Sequence, residues 1–446
     1  MSTRKFISAD EFFITAKEVF EAYNIKEFAV VHNPSYIYYP IEIYPMAPKI
    51  EKIKELKAVV MDMDGTTTTT EPLCLHSLEY MVRQISGKLK TSEWKGLDRV
   101  KDYPNVIGNS TTKHVEYLIK TYQSWIKDDL LIKSYIYAAL WTLIEGQDEN
   151  RKNEVRTNLT VLIEGNIFED EYFGGMIKSD FIAEADIDKI FAKWKTRFKF
   201  SENFDNIVRA AIDIYYARYH FILKEIDAGL HREEQLIKPM PGVSVYLALI
   251  SGLLGAEAGK VYNVFIKELE KKIEKRDYSI ISENDFIQLG KYFEKKPVKV
   301  GIVTSSIYYE ADIVLNEIFR IFKEEVEKWE ISEKRKQTVL NRYKSYDFFY
   351  NAVITATDSS EIRLKPHRDL YSIALHRLGI QPEDFDKVVG FEDSESGTIA
   401  IRTAGIGLCV AVPFADTNFH NFDAATKVVY GGLPETVLRF NHWLDI

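Results

Sequence analysis

The segment at residues 57–71, KAVVMDMDGTTTTTE, is the strongest constraint on how this chain folds. Ala58 to Met61 form an uninterrupted apolar run, which is typical of a parallel β-strand that is covered on both faces. The run ends in two aspartates, Asp62 and Asp64, which are followed by a glycine. A buried strand with this ending predicts either an acidic turn or a site that needs a nucleophile and an acid close together.

Further strand patterns occur towards the C-terminal end of the chain. They are VKVGIVTSS at 298–306, NAVITA at 351–356, KVVGFED at 387–393 and GLCVAV at 407–412. Helical patterns lie between them, and one that begins at residue 311 is expected to continue towards residue 346. Strands that alternate with helices predict an α/β fold with a parallel, Rossmann-like sheet.

The pattern of elements divides the chain into three parts. Residues 1–50 form an N-terminal extension, with a helical pattern at 8–23 and an alternating, Tyr- and Pro-rich segment at 33–48 that indicates a strand or hairpin. Residues 74–238 repeat apolar residues at three- and four-residue spacing, so we expect a helical domain there. Residues 51–73 and 239–446 then make up the α/β core domain.

Composition limits the possible classes of function. The 446 residues are 46% hydrophobic and carry a formal net charge of −9, which argues against nucleic acid as a partner, because phosphate backbones are bound by clustered lysine and arginine. The N-terminal residues lack the apolar core of a signal peptide, and the longest apolar stretch, at 243–256, is too short for a membrane span. Cys74 and Cys409 form no disulfide framework or zinc-binding spacing. We expect a soluble, cytoplasmic protein with no membrane partner, whose oligomeric state the sequence leaves open.

Polar side chains occur where the predicted strands end. In an open parallel sheet these ends share one edge, and ligands bind there. The edge would carry Asp62, Asp64, Thr304 to Ser306, Lys365 (before the helix that follows the third strand), Glu392 and Asp393. Carboxylates at neighbouring strand ends suit a hard divalent cation such as Mg²⁺, whereas hydroxyl groups and a lysine suit phosphate oxygens. An aspartate in this setting is able to accept a phosphoryl group.

Each of these segments also has an ordinary structural explanation. DMDG is a common turn composition, the hydroxyl groups at 304–306 can cap the next helix, Lys365 can be a surface residue, and GFEDSESG can be an acidic turn with a helix cap. A calcium-binding loop is excluded, because its glycine would stand sixth, whereas Gly65 is fourth from Asp62. The occurrence of all four segments in one order favours the functional interpretation.

The four segments resemble the signature motifs of the haloacid dehalogenase (HAD) superfamily in type and in order. DMDGT is similar to its first motif, VTSS to its second, Lys365–Pro366 to its third and GFEDSESG to its fourth. The last segment is most similar to the branch of β-phosphoglucomutase and small-metabolite phosphatases. The resemblance covers residues 57–75 and 238–440, and it implies the HAD fold with a large helical cap inserted after the first motif.

The resemblance implies a catalytic role for four residues. Asp62 would be the nucleophile, and one of its oxygens would bind Mg²⁺. Asp64 would be the general acid and then the general base, with its backbone carbonyl also on the metal. Thr304 would bind the transferring phosphoryl group, and Lys365 would neutralise the charge shared between that group and Asp62.

The same resemblance implies the remaining contacts of metal and substrate. Glu392 and Asp393 would complete the metal site. The glycine of the first motif would let the chain turn close to a phosphate group. The substrate-binding residues would be Gly65, Thr66, Ser305 and His76, although a histidine at position 76 is as readily explained by packing.

We therefore expect a Mg²⁺-dependent phosphohydrolase that acts on a small phosphorylated metabolite through an aspartyl-phosphate. The alternatives are a phosphomutase similar to β-phosphoglucomutase and a catalytically inactive binding or scaffold protein. The chain departs from the family in four places: the helical insert is longer than is usual for the branch, residues 252–296 are an added segment, the helix after the second motif is expected to continue towards residue 346, and Arg368 replaces a proline. Substrate contacts of the cap therefore cannot be carried over by position.

Overall fold

The computed structural model describes residues 16–18, 20–22, 24–33, 40–106, 111–200, 203–231, 234–273, 279–359, 363–414, 417 and 420–444. The chain divides into two compact units. One contains Met1–Thr69, Lys238–Ala311 and Ile318–Ile446, and the other contains Thr70–Ile237 and Asp312–Glu317. The domain boundaries expected from the sequence, at residues 50, 73 and 238, stay predictions.

The first unit is built around a parallel sheet. Its strands within the described residues are β1 (Phe28–His32), β2 (Ile41–Pro45), β3 (Ala58–Asp62), β4 (Thr68–Thr69), β5 (Lys238–Pro239), β6 (Lys299–Val303), β7 (Ala352–Ile354), β8 (Val388–Glu392), β9 (Leu408–Ala411) and β10 (Lys427–Val428). Six of them form one sheet in the order β10-β9-β8-β3-β6-β7, and every neighbouring pair is parallel. β1 pairs with β2, and β4 with β5, antiparallel in both cases. The predicted α/β fold with a Rossmann-like parallel sheet is confirmed.

β3 occupies the centre of this sheet because its residues are apolar on both faces. All five of its residues are buried, and it pairs with β6 on one side and β8 on the other. The chain runs from β3 outward to β6 and β7 and then returns to β8, so the strand order reverses at β3. In open sheets, ligands bind at the carboxyl ends of the strands beside such a reversal.

The second unit is mostly helical in its described residues, as expected for residues 74–238. Its α-helices are α1 (Glu71–Ser86), α2 (Tyr103–Val106), α3 (Thr111–Thr121), α4 (Asp128–Glu145), α5 (Glu149–Leu162), α6 (Glu171–Ser179), α7 (Glu184–Trp194) and α8 (Phe204–Asp227). Polar side chains start several of them. Asp148, for example, accepts hydrogen bonds from the backbone N–H groups of Asn150 and Arg151 at the start of α5, which is how N-cap residues stabilise a first turn.

The remaining α-helices follow in chain order. They are α9 (Val243–Ile250), α10 (Gly259–Glu270), α11 (Glu283–Lys295), α12 (Tyr308–Glu327), α13 (Glu333–Arg342), α14 (Tyr346–Phe349), α15 (Asp369–Arg377), α16 (Glu395–Thr403) and α17 (Gly432–Leu438). The expectation of one helix that continues towards residue 346 was wrong. α12 ends at Glu327, and Ser332 begins α13 by accepting a hydrogen bond from the backbone N–H of Arg335, since serine favours the N-cap position.

The hairpin of β1 and β2 is part of the first unit. On one face its side chains alternate into a buried cluster of Ala29, Val31, Tyr44 and Met46, against which Ile399 and Ala424 pack. This alternation follows from the two-residue period of a strand. Residues 8–15 of the predicted N-terminal helix and residues 34–39 of the predicted strand segment lie outside the described residues. Within the described ranges, none of the helices has the length and apolar content of a membrane span.

Candidate active site

β3 delivers Asp62 to the carboxyl edge of the sheet, and the residues after it form a tight turn. The backbone N–H of Thr68 donates to the Met63 carbonyl at 2.8 Å, and the Thr68 carbonyl accepts from the backbone N–H of Gly65 at 2.7 Å. Gly65 has a φ of +83°, and a Cβ there would lie 2.3 Å from Oδ2 of Asp393. Only glycine combines this backbone conformation with so close an approach. The turn thereby places the backbone of Gly65 directly against the carboxylate of Asp393.

Lys365 lies between two acidic side chains. Its Nζ donates to Oδ1 of Asp62 and to Oε1 of Glu392, the latter at 2.7 Å. The side chains of Lys365, Asp62 and Glu392 are buried, with exposed fractions of 7%, 8% and 1%, respectively. Burial alone would lower the pKa of Lys365, but the charges of the two carboxylates outweigh it and raise that pKa. The lysine is therefore a stable cation beside Asp62.

Glu392 is held by hydrogen bonds on both of its oxygens. Oε1 also accepts from the hydroxyl of Tyr371 at 3.2 Å. Oε2 accepts from the backbone N–H groups of Asp393 and Ser394, both at 3.0 Å, and from Oγ of Ser394 at 2.8 Å. A Cβ on Gly397 would lie 1.8 Å from Oε1. The carboxylate is thus fixed in place, which also fixes the position of the lysine that it binds.

Three carboxylates converge at this edge of the sheet. Asp62, Glu392 and Asp393 each offer an oxygen, and these oxygens lie within 4.8 Å of one another. Oδ2 of Asp62 is buried and accepts no hydrogen bond from the described residues. Burial raises the pKa of Asp62 well above its usual range, with Glu392 and Asp64 adding to the increase and Lys365 opposing it.

Asp393 is in a similar environment. Burial raises its pKa, and the charges of Glu392 and Asp62 add to the increase. Buried carboxylates are stable as anions only when a cation compensates them. Hard oxygen ligands at this spacing, one of them without a hydrogen-bond donor among the described residues, fit a divalent ion such as Mg²⁺.

Asp64 lies in the turn after β3, between two hydroxyl groups. Oγ1 of Thr68 donates to its Oδ1, and Oγ of Ser306 donates to its Oδ2, each at 3.4 Å. Its carboxylate is outside the cluster of three, and the metal contact through its backbone carbonyl stays a prediction. The two hydroxyl groups orient this carboxyl group, for which the HAD resemblance implies the role of general acid and base.

Two further hydroxyl groups reach the same strand ends. Thr304 directly follows β6 and is buried, and its Oγ1 accepts from the backbone N–H of Ser306 at 3.0 Å. Oγ1 of Thr66 is buried and has no hydrogen-bond partner among the described residues, so it is available to a ligand. Ser305, in contrast, is exposed, and its part in substrate binding stays a prediction.

His76 belongs to the helical unit, on α1. Its Nε2 accepts a hydrogen bond from Nη2 of Arg218 at 3.2 Å. Burial lowers the pKa of His76, and the charge of Arg218 adds to this. The predicted contact of His76 with substrate stays a prediction.

Sequence analysis missed several supporting residues. Ser394 lies within GFEDSESG, and a serine directly before a helix is a recognisable N-cap. Its Oγ accepts a hydrogen bond from the backbone N–H of Gly397 and donates one to Oε2 of Glu392. Tyr371 gave no signal beyond its place on the helix after Lys365. Lys272 lies in the added segment 252–296; burial lowers its pKa to about 8, and the charge of Asp393 opposes that decrease.

The N-terminal hairpin contacts the loop that carries Lys365. The hydroxyl of Tyr44 forms hydrogen bonds with Nδ1 of His367, at 2.9 Å, and with the carboxylate of Glu42. Nη1 of Arg363 donates to the same carboxylate at 2.8 Å. Because Arg363 and His367 stand two residues before and after Lys365, residues of the extension hold the loop on both sides of the lysine.

Solved structures similar to this chain include several that act on phosphate compounds. CbbY from Rhodobacter sphaeroides, solved with phosphate, is 13% identical; the match covers 85% of this chain and 96% of CbbY at a TM-score of 0.36. β-Phosphoglucomutase from Clostridium difficile is 14% identical, with 84% and 90% covered and a TM-score of 0.33. A HAD phosphatase from Thermococcus onnurineus is 14% identical, with 86% and 96% covered and a TM-score of 0.32.

The matched structures include HAD-family phosphatases and β-phosphoglucomutases. No protein-family model matches the chain, and no curated protein sequence does either. At such low identities and TM-scores the likeness supports no inference about activity, which has to come from the side chains of this chain.

Proposed function

We propose that this chain is a Mg²⁺-dependent phosphohydrolase that acts on a small phosphorylated metabolite through an aspartyl-phosphate intermediate. The observation that carries the proposal is the setting of Asp62 at the end of the central strand. One of its oxygens is paired with Lys365, and the other is buried without a partner among the described residues. Such a carboxylate has one oxygen held by the protein and one open to a ligand. Glu392 and Asp393 offer the further acidic oxygens that a metal needs.

The first half-reaction transfers the phosphoryl group to Asp62. The carboxylate attacks phosphorus, a bond forms between its oxygen and phosphorus, and the bond from phosphorus to the leaving oxygen breaks. Protonated Asp64 gives its proton to that oxygen, which departs as an alcohol. Lys365, Thr66 and Thr304 stabilise the charge on the phosphoryl oxygens by hydrogen bonds and by opposite charge.

The second half-reaction releases phosphate. Water attacks the phosphorus of the aspartyl-phosphate, and Asp64, now a carboxylate, takes a proton from that water. The bond between phosphorus and Asp62 breaks, so that both carboxyl groups return to their starting states. Mg²⁺, which Asp62, Glu392, Asp393 and the Asp64 carbonyl would hold, would supply Lewis-acid neutralisation of the phosphoryl charge.

A screen against phosphorylated metabolites tests this proposal. The protein is incubated with Mg²⁺ and a panel of sugar phosphates, nucleotides and phosphorylated organic acids, and released phosphate is measured, with Asp62→Asn as the blank. We expect release from at least one compound, and a decrease of about 10³-fold or more in the variant or with a chelator. Equal rates in the wild type and the variant would exclude the aspartyl-phosphate. No release from any compound would contradict hydrolysis.

The same screen separates the two alternatives. With a bisphosphate activator added, a phosphomutase would yield an isomeric monophosphate without free phosphate. An inactive scaffold protein would convert nothing under any condition. The presence of both Asp62 and Asp64 at one strand end argues for chemistry rather than for a scaffold, and no contact among the described residues favours the mutase over the hydrolase.

A further inference from the structure

A cavity of about 430 Å³ lies among the helices of the second unit. Its walls come from α1, α4, α7 and α8, and much of the lining is aromatic or aliphatic: Tyr80, Tyr137, Trp141, Ile214 and Phe221. Sites for small molecules have volumes of about 300–1,000 Å³ and a mainly apolar lining with a few polar groups. The cavity therefore has the size and the walls of a small-molecule site.

One cation in this cavity has no anionic partner among the described residues. The guanidinium of Arg218 lies over the rings of Tyr80 and Phe221, with its central carbon 4.6 and 5.2 Å from the ring centres. Its Nε is buried and has no hydrogen-bond partner in the described part of the chain. Its one polar side-chain contact in the described part of the chain is the hydrogen bond from Nη2 to Nε2 of His76. Arginine only donates, so this nitrogen of His76 accepts, and the imidazole is a neutral partner.

Two buried arginines elsewhere in the chain each pair with a carboxylate. Arg151 pairs with Asp213 inside the same helical unit, and Arg402 pairs with Glu27 in the first unit. Arg218 is half-buried, with its Nε fully buried, and a guanidinium that loses part of its hydration without gaining an anion is destabilised. The environment of Arg218 therefore leaves a place for an anionic group that the described residues do not fill.

The other charged residues of the cavity do not supply that anion. Nζ of Lys133 is paired with Oδ1 of Asp188 at 2.6 Å. Glu184 is exposed, and within the described part of the chain it forms no ion pair with Arg218. Besides Arg218, the charged groups that line the cavity are thus either paired with each other or exposed to solvent.

We propose that this cavity binds a small organic anion, with a carboxylate or phosphate group on Arg218 and an aromatic or aliphatic body against the apolar walls. The planar fork of N–H groups in a guanidinium matches both kinds of oxyanion. Aromatic walls add contact area for the body of the ligand. An inorganic anion would leave the walls uncovered, and a neutral ring would leave the arginine without a counter-charge. This proposal does not depend on the proposed hydrolysis.

Titration calorimetry with four probes tests the proposal. Benzoate and phenylphosphonate carry a carboxylate and a phosphonate on the same ring, and phenylphosphonate has no ester bond to hydrolyse. Benzyl alcohol lacks the charge, and inorganic phosphate lacks the ring. With a chelator present throughout, we expect at least one aromatic anion to bind, and both incomplete probes to bind at least tenfold more weakly. The stronger of the two aromatic anions identifies the head group.

Two variants locate the binding in the cavity. Arg218→Met removes the charge and keeps an apolar stem, and Ser134→Phe fills the space without altering the arginine; each should weaken the aromatic anion at least tenfold. Arg156→Met is the matched control, because Arg156 is exposed on α5 and its loss changes the net charge equally. Circular dichroism verifies that each variant is folded. Unchanged binding in both cavity variants, equal binding of benzyl alcohol, or no binding of either aromatic anion would overturn the proposal.

Discussion

Asp62→Asn should make the metal-free protein more stable while it removes the activity. Asp62 shares its surroundings with two further buried carboxylates, and burial together with those charges raises its pKa. Asparagine keeps the shape of the side chain and removes the charge. Lys365 keeps a carboxylate partner in the variant, because its Nζ lies 2.7 Å from Oε1 of Glu392.

The size of the gain follows from the spacing of the acids. The oxygens of Asp62, Glu392 and Asp393 lie within 4.8 Å of one another. At that separation and an effective dielectric constant of about 20, each like-charge pair costs about 3.5 kcal/mol, and attraction to Lys365 offsets about one such pair. The repulsion cannot exceed the free energy of protonating Asp62 instead. For a carboxyl group of ordinary pKa 3.8, keeping the proton at about pH 7.5 costs about 5 kcal/mol. Asp62 takes part in two like-charge pairs and Lys365 offsets one of them, so we expect a gain of at most about 3.5 kcal/mol in the free energy of unfolding.

Urea unfolding with a chelator measures the stability, and phosphate release with Mg²⁺ measures the activity. Asp384→Asn is the matched control. Asp384 accepts hydrogen bonds from Lys387 and Lys57, which hold its pKa below the usual range, so its loss should destabilise the protein slightly and leave activity unchanged. If metal-free Asp62→Asn is less stable than the wild type, the carboxylate stabilises the fold and the repulsion argument is wrong.

Three further predictions concern the same unit. Gly65→Ala should inactivate and destabilise the protein, because its Cβ would lie 2.3 Å from Oδ2 of Asp393 at a φ of +83°; phosphate release and urea unfolding check this, and a fully active variant would contradict it. Tyr44→Phe should cost about 1–2 kcal/mol of unfolding free energy, since it removes a buried hydrogen bond to His367 and a partly buried one to Glu42; an unchanged urea midpoint would count against it. The thermal stabilisation by Mg²⁺ should be larger at about pH 8 than at about pH 5.5. The pKa values of Asp62 and Asp393 are raised in the folded state, so the stability that these acids contribute is present at low pH and is lost as the pH rises through those values. A bound cation compensates the charges that then form. Melting temperatures with Mg²⁺ and with a chelator at both pH values measure this, and an equal increase at both would contradict it.

The parts of the fold and site that the sequence predicted are those set by local pattern. β3 was recognisable because four consecutive apolar residues, Ala58 to Met61, are all buried, and Asp62 follows from its place at the end of that run. The same holds for Glu392, the last residue of β8. Since parallel strands end at one edge, their terminal residues could be grouped without any knowledge of the loops between them.

What the sequence could not predict depends on contacts between distant segments. Tyr44 and His367 are 323 positions apart and meet through a hydrogen bond and an edge-to-face contact of their rings. Tyr371 reaches Glu392 because of how α15 packs, and no local pattern encodes that approach. β10 has two residues, too few to show an alternation. The break after α12 was missed because the charged residues that follow it are also good helix formers.

The hairpin of β1 and β2 determines how short a version of this chain could be and still test the proposed activity. A chain shortened to the region that resembles the HAD motifs would begin near residue 57 and would lack Glu42 and Tyr44. Arg363 and His367 would then lose their partners on either side of Lys365. Loss of activity in the shortened protein would therefore be explained by a loosened lysine loop. It would not show whether the acids at the end of β3 are able to carry out phosphoryl transfer. Assays of the proposed activity therefore need the N-terminal residues in place.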